Sequence, residues 1–150
     1  MKALLQRVAH ASVKVDGEVK GAIQRGVLIL LGVEANDTDA ELDKTLAKLI
    51  GLRIFNDEAG KMNRSCEDIA GSYLVISQFT LCADTSKGKR PSYIKAMAPE
   101  PADAMYQRFC DKLAKLSGRP VERGVFGADM KVELLNDGPV TLMLHYPPDA

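Results

Sequence analysis

Two short segments carry residue types that could do chemistry. Ser77-Gln78-Phe79-Thr80-Leu81 presents a hydroxyl, an amide, a ring and a second hydroxyl where a hydrophobic strand should end. Such groups at a strand end could grip a small polar ligand; strand alternation running into a loop is the plainer reading of the same residues. Asn136-Asp137-Gly138-Pro139-Val140-Thr141 holds a Gly-Pro step between two apolar stretches. A Gly-Pro step is ordinarily a turn, and it can also be a cis peptide, a minority state that tends to be retained for a reason. Thr80 is a candidate nucleophile, yet a threonine hydroxyl needs an adjacent base or amino terminus to attack. Nothing near it in sequence offers one, and a spatial neighbour stays open.

Conventional machinery is otherwise thin. His10 and His145 have neither metal-ligand nor nucleophile-base spacing, and a lone histidine is ordinarily a surface or satisfied core residue. No GxSxG elbow, Walker loop or GxGxxG follows a strand. Cys66, Cys82 and Cys110 are odd in number and widely separated, so they suggest neither a disulfide framework nor a zinc site. Reduced thiols of a cytosolic protein are the simplest reading. No metal and no cofactor are expected.

Composition narrows the classes further. At 150 residues, 46% hydrophobic and 27% charged, the chain is expected to form one domain over residues 1–150 with a single core. Twenty Lys and Arg balance twenty Asp and Glu, giving zero net charge. A protein that holds nucleic acid by bulk electrostatics would be basic, so DNA binding is not expected and any RNA contact must come from a local patch. Neutrality also does little to oppose self-association. The opening Met1-Lys2-Ala3-Leu4-Leu5-Gln6-Arg7 lacks the apolar stretch of a signal peptide, and the run Val27 to Val33 is too short to cross a bilayer. A soluble, cytoplasmic protein with no membrane partner is expected.

The elements that must position the two segments are legible from pattern. Ala11 to Val15 alternates and leads into Asp16-Gly17, a strong hairpin dipeptide, with strand pattern resuming from Glu18 to Ile23. The run Val27 to Val33 is apolar on both faces, which predicts a strand buried on both sides. Thr38-Asp39-Ala40-Glu41 is a capping box; Leu42, Leu46, Leu49 and Ile50 then share one helical face, and Gly51 marks the stop. Arg53-Ile54-Phe55 reads as a short strand and Asn56 to Gly60 as a turn. Ser72 to Phe79 reads as a strand, followed by an irregular stretch from Ala83 to about Pro99. Pro101 suits the first turn of a second helix striped by Met105, Phe109, Leu113 and Leu116, with Gly118 as its cap. Met130 to Leu134 and Val140 to Leu144 read as two strands joined tightly through Asn136 to Pro139. No repeat, linker or low-complexity segment divides the chain. The expected fold is α/β, a single domain with a mostly antiparallel, barrel-like sheet and two main helices.

In chain order, Gln6-Arg7-Val8, the Gly32-Val33 strand end, SQFTL at 77–81, Arg90-Pro91-Ser92-Tyr93 and NxGPVT at 136–141 resemble the D-aminoacyl-tRNA deacylase family over essentially the full length. The pairing of SQFTL with NxGPVT is specific, and neither signature departs from the family pattern. The Pro-Pro-Asp-Ala tail looks like a short extension without catalytic meaning. The resemblance implies that family's fold and an editing hydrolase that cleaves the ester of D-aminoacyl-tRNA. It also implies a homodimer with two sites at the subunit interface, each completed by a cis Gly-Pro step from the partner. Carried over, Gly138 and Pro139 form the chirality filter, while Ser77, Gln78, Phe79 and Thr80 line the pocket for the 3′-terminal adenosine and the aminoacyl group. Lys87, Lys89 and Arg90, with Arg7 near the site, are the candidates for tRNA contact.

Elementary physics is compatible with such a filter. Sparing a large excess of L-aminoacyl-tRNA needs a repulsive element, because most side chains occur in both hands. Glycine lets the backbone approach closely and proline fixes its angle. A steric sieve has no side chain to exclude in glycine, so glycyl-tRNA (glycine mischarged on tRNA-Ala) should also be accepted. The terminal 2′-OH of the tRNA is the expected assistant for water attack, with backbone N–H groups near Phe79 and Thr80 holding the oxyanion. Two rivals follow from the same residues: a non-enzymatic nucleic-acid or nucleotide-binding module, and an esterase using Thr80 as nucleophile.

Overall fold

The computed structural model describes residues 1–147; the last three residues of the tail lie outside the described residues. Its sheet is organised by β1 (Lys2–Val15), which is long enough to take different partners along its length. The C-terminal half of β1 turns through Asp16 and Gly17, at φ 51° and 78°, and pairs antiparallel with β2 (Glu18–Ile23). That is the hairpin which the Asp-Gly dipeptide requires. Its N-terminal half pairs antiparallel with β3 (Gly26–Gly32).

After β3 the chain enters α1 (Asp39–Leu49) through the expected capping box. The Thr38 hydroxyl accepts from the Ala40 N–H at 3.2 Å, and the Thr38 N–H donates to Glu41 Oε2 at 2.6 Å. Leu42, Leu46 and Leu49 are buried, and Gly51 follows at φ 83°. A small hairpin, β4 (Phe55–Asn56) and β5 (Met62–Arg64), comes next. The expected strand at Arg53 therefore begins two residues later, where Phe55 pairs with Arg64.

The strand β6 (Ser72–Ser77) lies parallel to β3. It stops at Ser77, not Phe79, because the chain tightens into a 3₁₀ turn over Phe79–Cys82. The second helix, α2 (Pro99–Ser117), carries Pro99 and Pro101 in its first turn and ends on Gly118 at φ 66°. Met105, Phe109 and Leu113 are buried, whereas Leu116 on the same expected stripe is 62% exposed in the last turn. A short strand, β7 (Val121–Arg123), adds to β6 in parallel.

One expectation is overturned at the C-terminal end. Lys131–His145 is a single strand, β8, running antiparallel to β1 from Lys14 back to Lys2. A hairpin would require its two halves to pair with each other. Both halves instead find β1, whose 14 residues present enough ladder for both. The Gly-Pro step is consequently a bulge in one strand.

The sheet therefore runs β2-β1-β3-β6-β7, with β8 on the other edge of β1. Its pairings through β1 are antiparallel and those through β6 are parallel, so it is mostly antiparallel as expected. The two ends approach each other closely. A Cβ added at Gly21 of β2 would lie 2.7 Å from the Arg123 carbonyl oxygen of β7, so only glycine fits where the sheet nearly closes into a barrel. Two cores result. Val8, Val13, Ile23, Leu28, Leu74 and Ile76 fill the interior of the sheet. Ile29, Leu31, Leu42, Leu46, Tyr106 and Phe109 pack between its outer face and the helices. This two-sided burial is why β3 is apolar at every position, and a truncation such as Leu28→Ala should cost about 2–5 kcal/mol.

Candidate active site

Because β3 and β6 are parallel, their C-terminal ends open on the same side, where a crevice ordinarily forms in α/β sheets. The last tie is the Gln78 N–H, which donates to the Leu31 carbonyl at 2.7 Å. The 3₁₀ turn then closes through Leu81 N–H to Gln78 O (3.2 Å) and Ala83 N–H to Thr80 O (3.1 Å). Gly32 permits this close packing, since a Cβ there would sit 3.0 Å from Leu81 Cβ and 3.1 Å from the Gln78 carbonyl oxygen. The first N–H groups of any helical turn lack an internal acceptor. Here those belong to Phe79 and Thr80, and neither has an acceptor among the described residues.

A cavity of about 610 Å³ opens beside the turn. Its walls come from the ends of β3 and β6, the first two turns of α2, and the loop at 126–130 leading into β8. Ser77, Gln78 and Phe79 all line it. Phe79 is 56% exposed and meets Tyr93 edge-to-face, with ring centroids 5.1 Å apart. Tyr106 gives its hydroxyl to the Val75 carbonyl at 2.7 Å, so its phenol proton is committed to the sheet. The result is a mostly apolar, aromatic-edged pocket with few polar groups, within the size usual for small-molecule sites (about 300–1,000 Å³).

Thr80 does not line this cavity; it is exposed on the turn. Gln78 Nε2 donates to its Oγ1 at 2.5 Å, and among the described residues no carboxylate or imidazole bonds to that hydroxyl. An amide donor cannot take a proton from it. His10 is exposed on β1 opposite Leu135. His145 bonds Glu34 at 2.7 Å, and Glu34 in turn accepts from the Met1 ammonium at 2.7 Å. Burial opposes ionisation of Glu34, but these two donors outweigh it and hold its carboxyl below the usual carboxylate value. Neither histidine lines the cavity.

The Gly138-Pro139 peptide is cis and lies on the exposed bulge of β8, outside the cavity of its own chain. In the ladder, Gln6 faces Thr141 and Val8 faces Asn136, so a two-residue step on β1 spans five residues on β8. The surplus puts Asp137, Gly138, Pro139 and Val140 outside regular pairing. Arg7 supports this bulge from below. It is only 7% exposed, with Nε donating to the Asp137 carbonyl and Nη1 to the Ile54 carbonyl, each at 2.8 Å.

Lys87, Lys89 and Arg90 are exposed in a loop pinched shut by the Asp84–Ser92 backbone pair at 2.8 and 2.9 Å. None of the three forms an ion pair among the described residues. The loop joins the 3₁₀ turn to Tyr93, which lines the cavity, whereas none of the three cations does. The structure thus brings Ser77, Gln78 and Phe79 together at the cavity, and leaves Thr80, the three cations of the loop, Gly138, Pro139 and Arg7 out of its lining. Sequence reasoning missed the opposite wall, Tyr106 and the loop from Phe126 to Met130. Nothing in their local pattern marks them, because only folding carries them to the ends of β3 and β6.

Comparison with known proteins bears on the same span. The model of the family described as D-Tyr-tRNA(Tyr) deacylase matches residues 4–145. A protein of Magnetococcus marinus named D-aminoacyl-tRNA deacylase is 53% identical over 99% of this chain and 98% of its own. One of Bacteroides fragilis with the same name is 54% identical over 96% of each. A solved structure named c-Myc DNA Unwinding Element Binding Protein superposes with a TM-score of 0.93 at 44% identity, covering 99% of this chain and 100% of that one. Another, of a probable eukaryotic D-amino acid tRNA deacylase, reaches 0.83 at 19% identity over 95% and 97%, a likeness of fold.

Proposed function

The chain belongs to the D-Tyr-tRNA(Tyr) deacylase family, and on that premise we propose that it is the hydrolase which frees tRNA from D-amino acids by cutting the aminoacyl ester. The observation that carries this reading is the union of a family match over residues 4–145 with a cavity walled by Ser77, Gln78 and Phe79. The apolar, aromatic-edged pocket suits the 3′-terminal adenosine. The unengaged N–H groups of Phe79 and Thr80 suit the oxyanion that forms when water attacks the ester, each such donor being worth about 2.7–4 kcal/mol in comparable sites.

The active unit in this reading is a homodimer. Gly138 and Pro139 are exposed and absent from their own chain's cavity, which is compatible with the role in the partner's site that the family resemblance implies. Two features of β8 support self-association: it is an edge strand, and it exposes Leu135 (53%) and Met143 (47%). The bulge would then stand as a backbone wall against an L side chain and leave a D side chain free, accepting glycyl-tRNA for the same reason. The Thr80 hydroxyl has only an amide partner among the described residues, which favours the reading that the tRNA's own 2′-OH assists the attacking water. Lys87, Lys89 and Arg90 hold nearby phosphates, while Arg7 shapes the bulge. Among the described residues no helix is long and apolar enough to cross a membrane; we assign the protein to the cytoplasm because its substrate is used there.

The test is hydrolysis of matched D-tyrosyl-tRNA and L-tyrosyl-tRNA by purified protein in chelator. Release of the D amino acid alone is expected. Cleavage of both hands would remove the filter from this account, and cleavage of neither would favour a second reading, a nucleic-acid-binding module. That second reading draws on the name of the solved structure at TM-score 0.93, and zero net charge weighs against it. A salt-dependent shift of duplex DNA without any ester turnover would establish it.

A further inference from the structure

We propose that Asn136 is a positioning residue which, with Thr141, sets the angle of the Gly138-Pro139 wall and so the stereochemical selectivity of the enzyme. This rests on the deacylase reading above and names the residues that hold its selective element.

The argument begins from lost hydrogen bonds. Extruding the residues between Asn136 and Thr141 from the β1–β8 ladder strips their backbone groups of ladder partners. A strand bulge left in that state would sample many orientations. The Asn136 side chain replaces the missing rungs. Its Oδ1 accepts from the Val140 N–H at 2.8 Å. Its Nδ2 donates to Thr141 Oγ1 at 2.9 Å, with a longer contact to the Val140 carbonyl at 3.4 Å. The amide thus ties the two legs of the bulge across its neck. Its orientation is fixed by chemistry, because the flipped amide would set an NH₂ donor against the Val140 N–H donor. Asparagine is the residue whose short side chain carries both acceptor and donor at this reach.

The clamp complements the support from Arg7. Arg7 Nε holds the Asp137 carbonyl from one side at 2.8 Å, and Asn136 closes the neck from the other. Between these two ties only Gly138 and Pro139 project without a side-chain bond among the described residues. A steric filter discriminates only as well as its wall is held, and a displacement of about 1 Å can cost about a hundredfold in a positioned reaction.

The experiment measures kcat/KM for D-tyrosyl- and L-tyrosyl-tRNA with wild type, Asn136→Ala, Thr141→Ser and Thr141→Val. Asn136→Ala should lower the D-to-L ratio by about tenfold to a hundredfold. Thr141→Ser keeps the hydroxyl and should keep the ratio; Thr141→Val should share the loss. Amide exchange of the Val140 N–H, slow in wild type and fast in Asn136→Ala, reads the clamp apart from chemistry. A selective wild type together with an unchanged ratio in Asn136→Ala and Thr141→Val overturns the clamp alone. A wild type that turns over neither substrate overturns the deacylase reading and the clamp's role with it. Should Asn136→Ala fail to fold, Thr141→Val against Thr141→Ser decides the matter, since that pair alters a single bond.

Discussion

Arg7 Nε lies 2.8 Å from the carbonyl oxygen of Asp137, a contact spanning 130 residues of sequence and placed immediately before Gly138. The same guanidinium donates to the Ile54 carbonyl at 2.8 Å, so one side chain ties the β8 bulge to the segment entering β4. Arg7→Lys should fail to replace it, because an ammonium lacks the planar fork that serves two carbonyls at once. Arg7→Ala leaves two carbonyls short of a donor and should cost about 1–3 kcal/mol for each that water cannot reach. Denaturant midpoints measure the stability loss. The D-to-L ratio measures whether the bulge has moved, and it should fall in both variants.

Gly138→Ala tests which subunit the wall serves. At φ 140° an alanine Cβ would lie 2.9 Å from Arg7 Nη2 and 2.9 Å from Val140 Cγ2, so the bulge must shift. Global stability should change modestly because the site is exposed, whereas D-tyrosyl-tRNA turnover should collapse. A second variant, Ser77→Phe, fills the cavity from its own wall. Each variant alone should be inactive. Randomly mixed dimers of the two should recover about a quarter of wild-type activity if each site combines one chain's cavity with the other's bulge. No recovery in verified mixed dimers would assign cavity and bulge to the same subunit.

Thr80→Ala separates the two chemistries. With the substrate's 2′-OH assisting and the Thr80 N–H retained by alanine, turnover should stay within about tenfold of wild type. A substrate ending in 2′-deoxyadenosine should be cleaved far more slowly. Loss of all activity in a folded Thr80→Ala dimer, with an acyl group trapped on Thr80 in the wild type, would establish the nucleophile instead.

The cysteines predict an alkaline limit to stability. Burial pushes the thiols of Cys66 and Cys110 from the ordinary 9.0 up to about 12, with Glu67 adding to the effect at Cys66. Between those values the unfolded chain has released protons that the folded chain still binds. Stability therefore falls as pH rises through that window, by up to about 1.4 kcal/mol per pH unit for each thiol. Cys110→Ala should lower stability at neutral pH by leaving a small void, yet flatten the alkaline decline. Urea midpoints across the window check both effects, and an unchanged slope in the variant would refute the assignment.

Much of this molecule was readable without coordinates because it depends on chemistry within a few residues. Thr38 and Glu41 satisfy each other's orphan N–H groups whatever surrounds them, so the start of α1 was legible, as was its end at Gly51. Asp16-Gly17 carries its positive-φ preference locally, and the unbroken apolar run of β3 announced burial on both faces. The family signatures at 77–81 and 136–141 pointed to the activity by resemblance.

Other features were settled by partners far away in sequence. Whether Asn136 to Val140 was a hairpin turn or a bulge depended on whether the flanking halves met each other or β1, a choice made by the length of β1 and its free edge. Arg7 was a candidate for tRNA contact because its pattern says nothing of the Ile54 and Asp137 carbonyls, to which it donates in a largely buried position. Likewise Phe79 left the strand for a 3₁₀ turn because Gly32, on a neighbouring strand, made room for it. The sequence by itself determined the local elements, their caps and the residues of both signatures. Tertiary structure alone decided which of those residues share a cavity, since hydrogen bonds and close packing between distant segments are properties of the assembled chain.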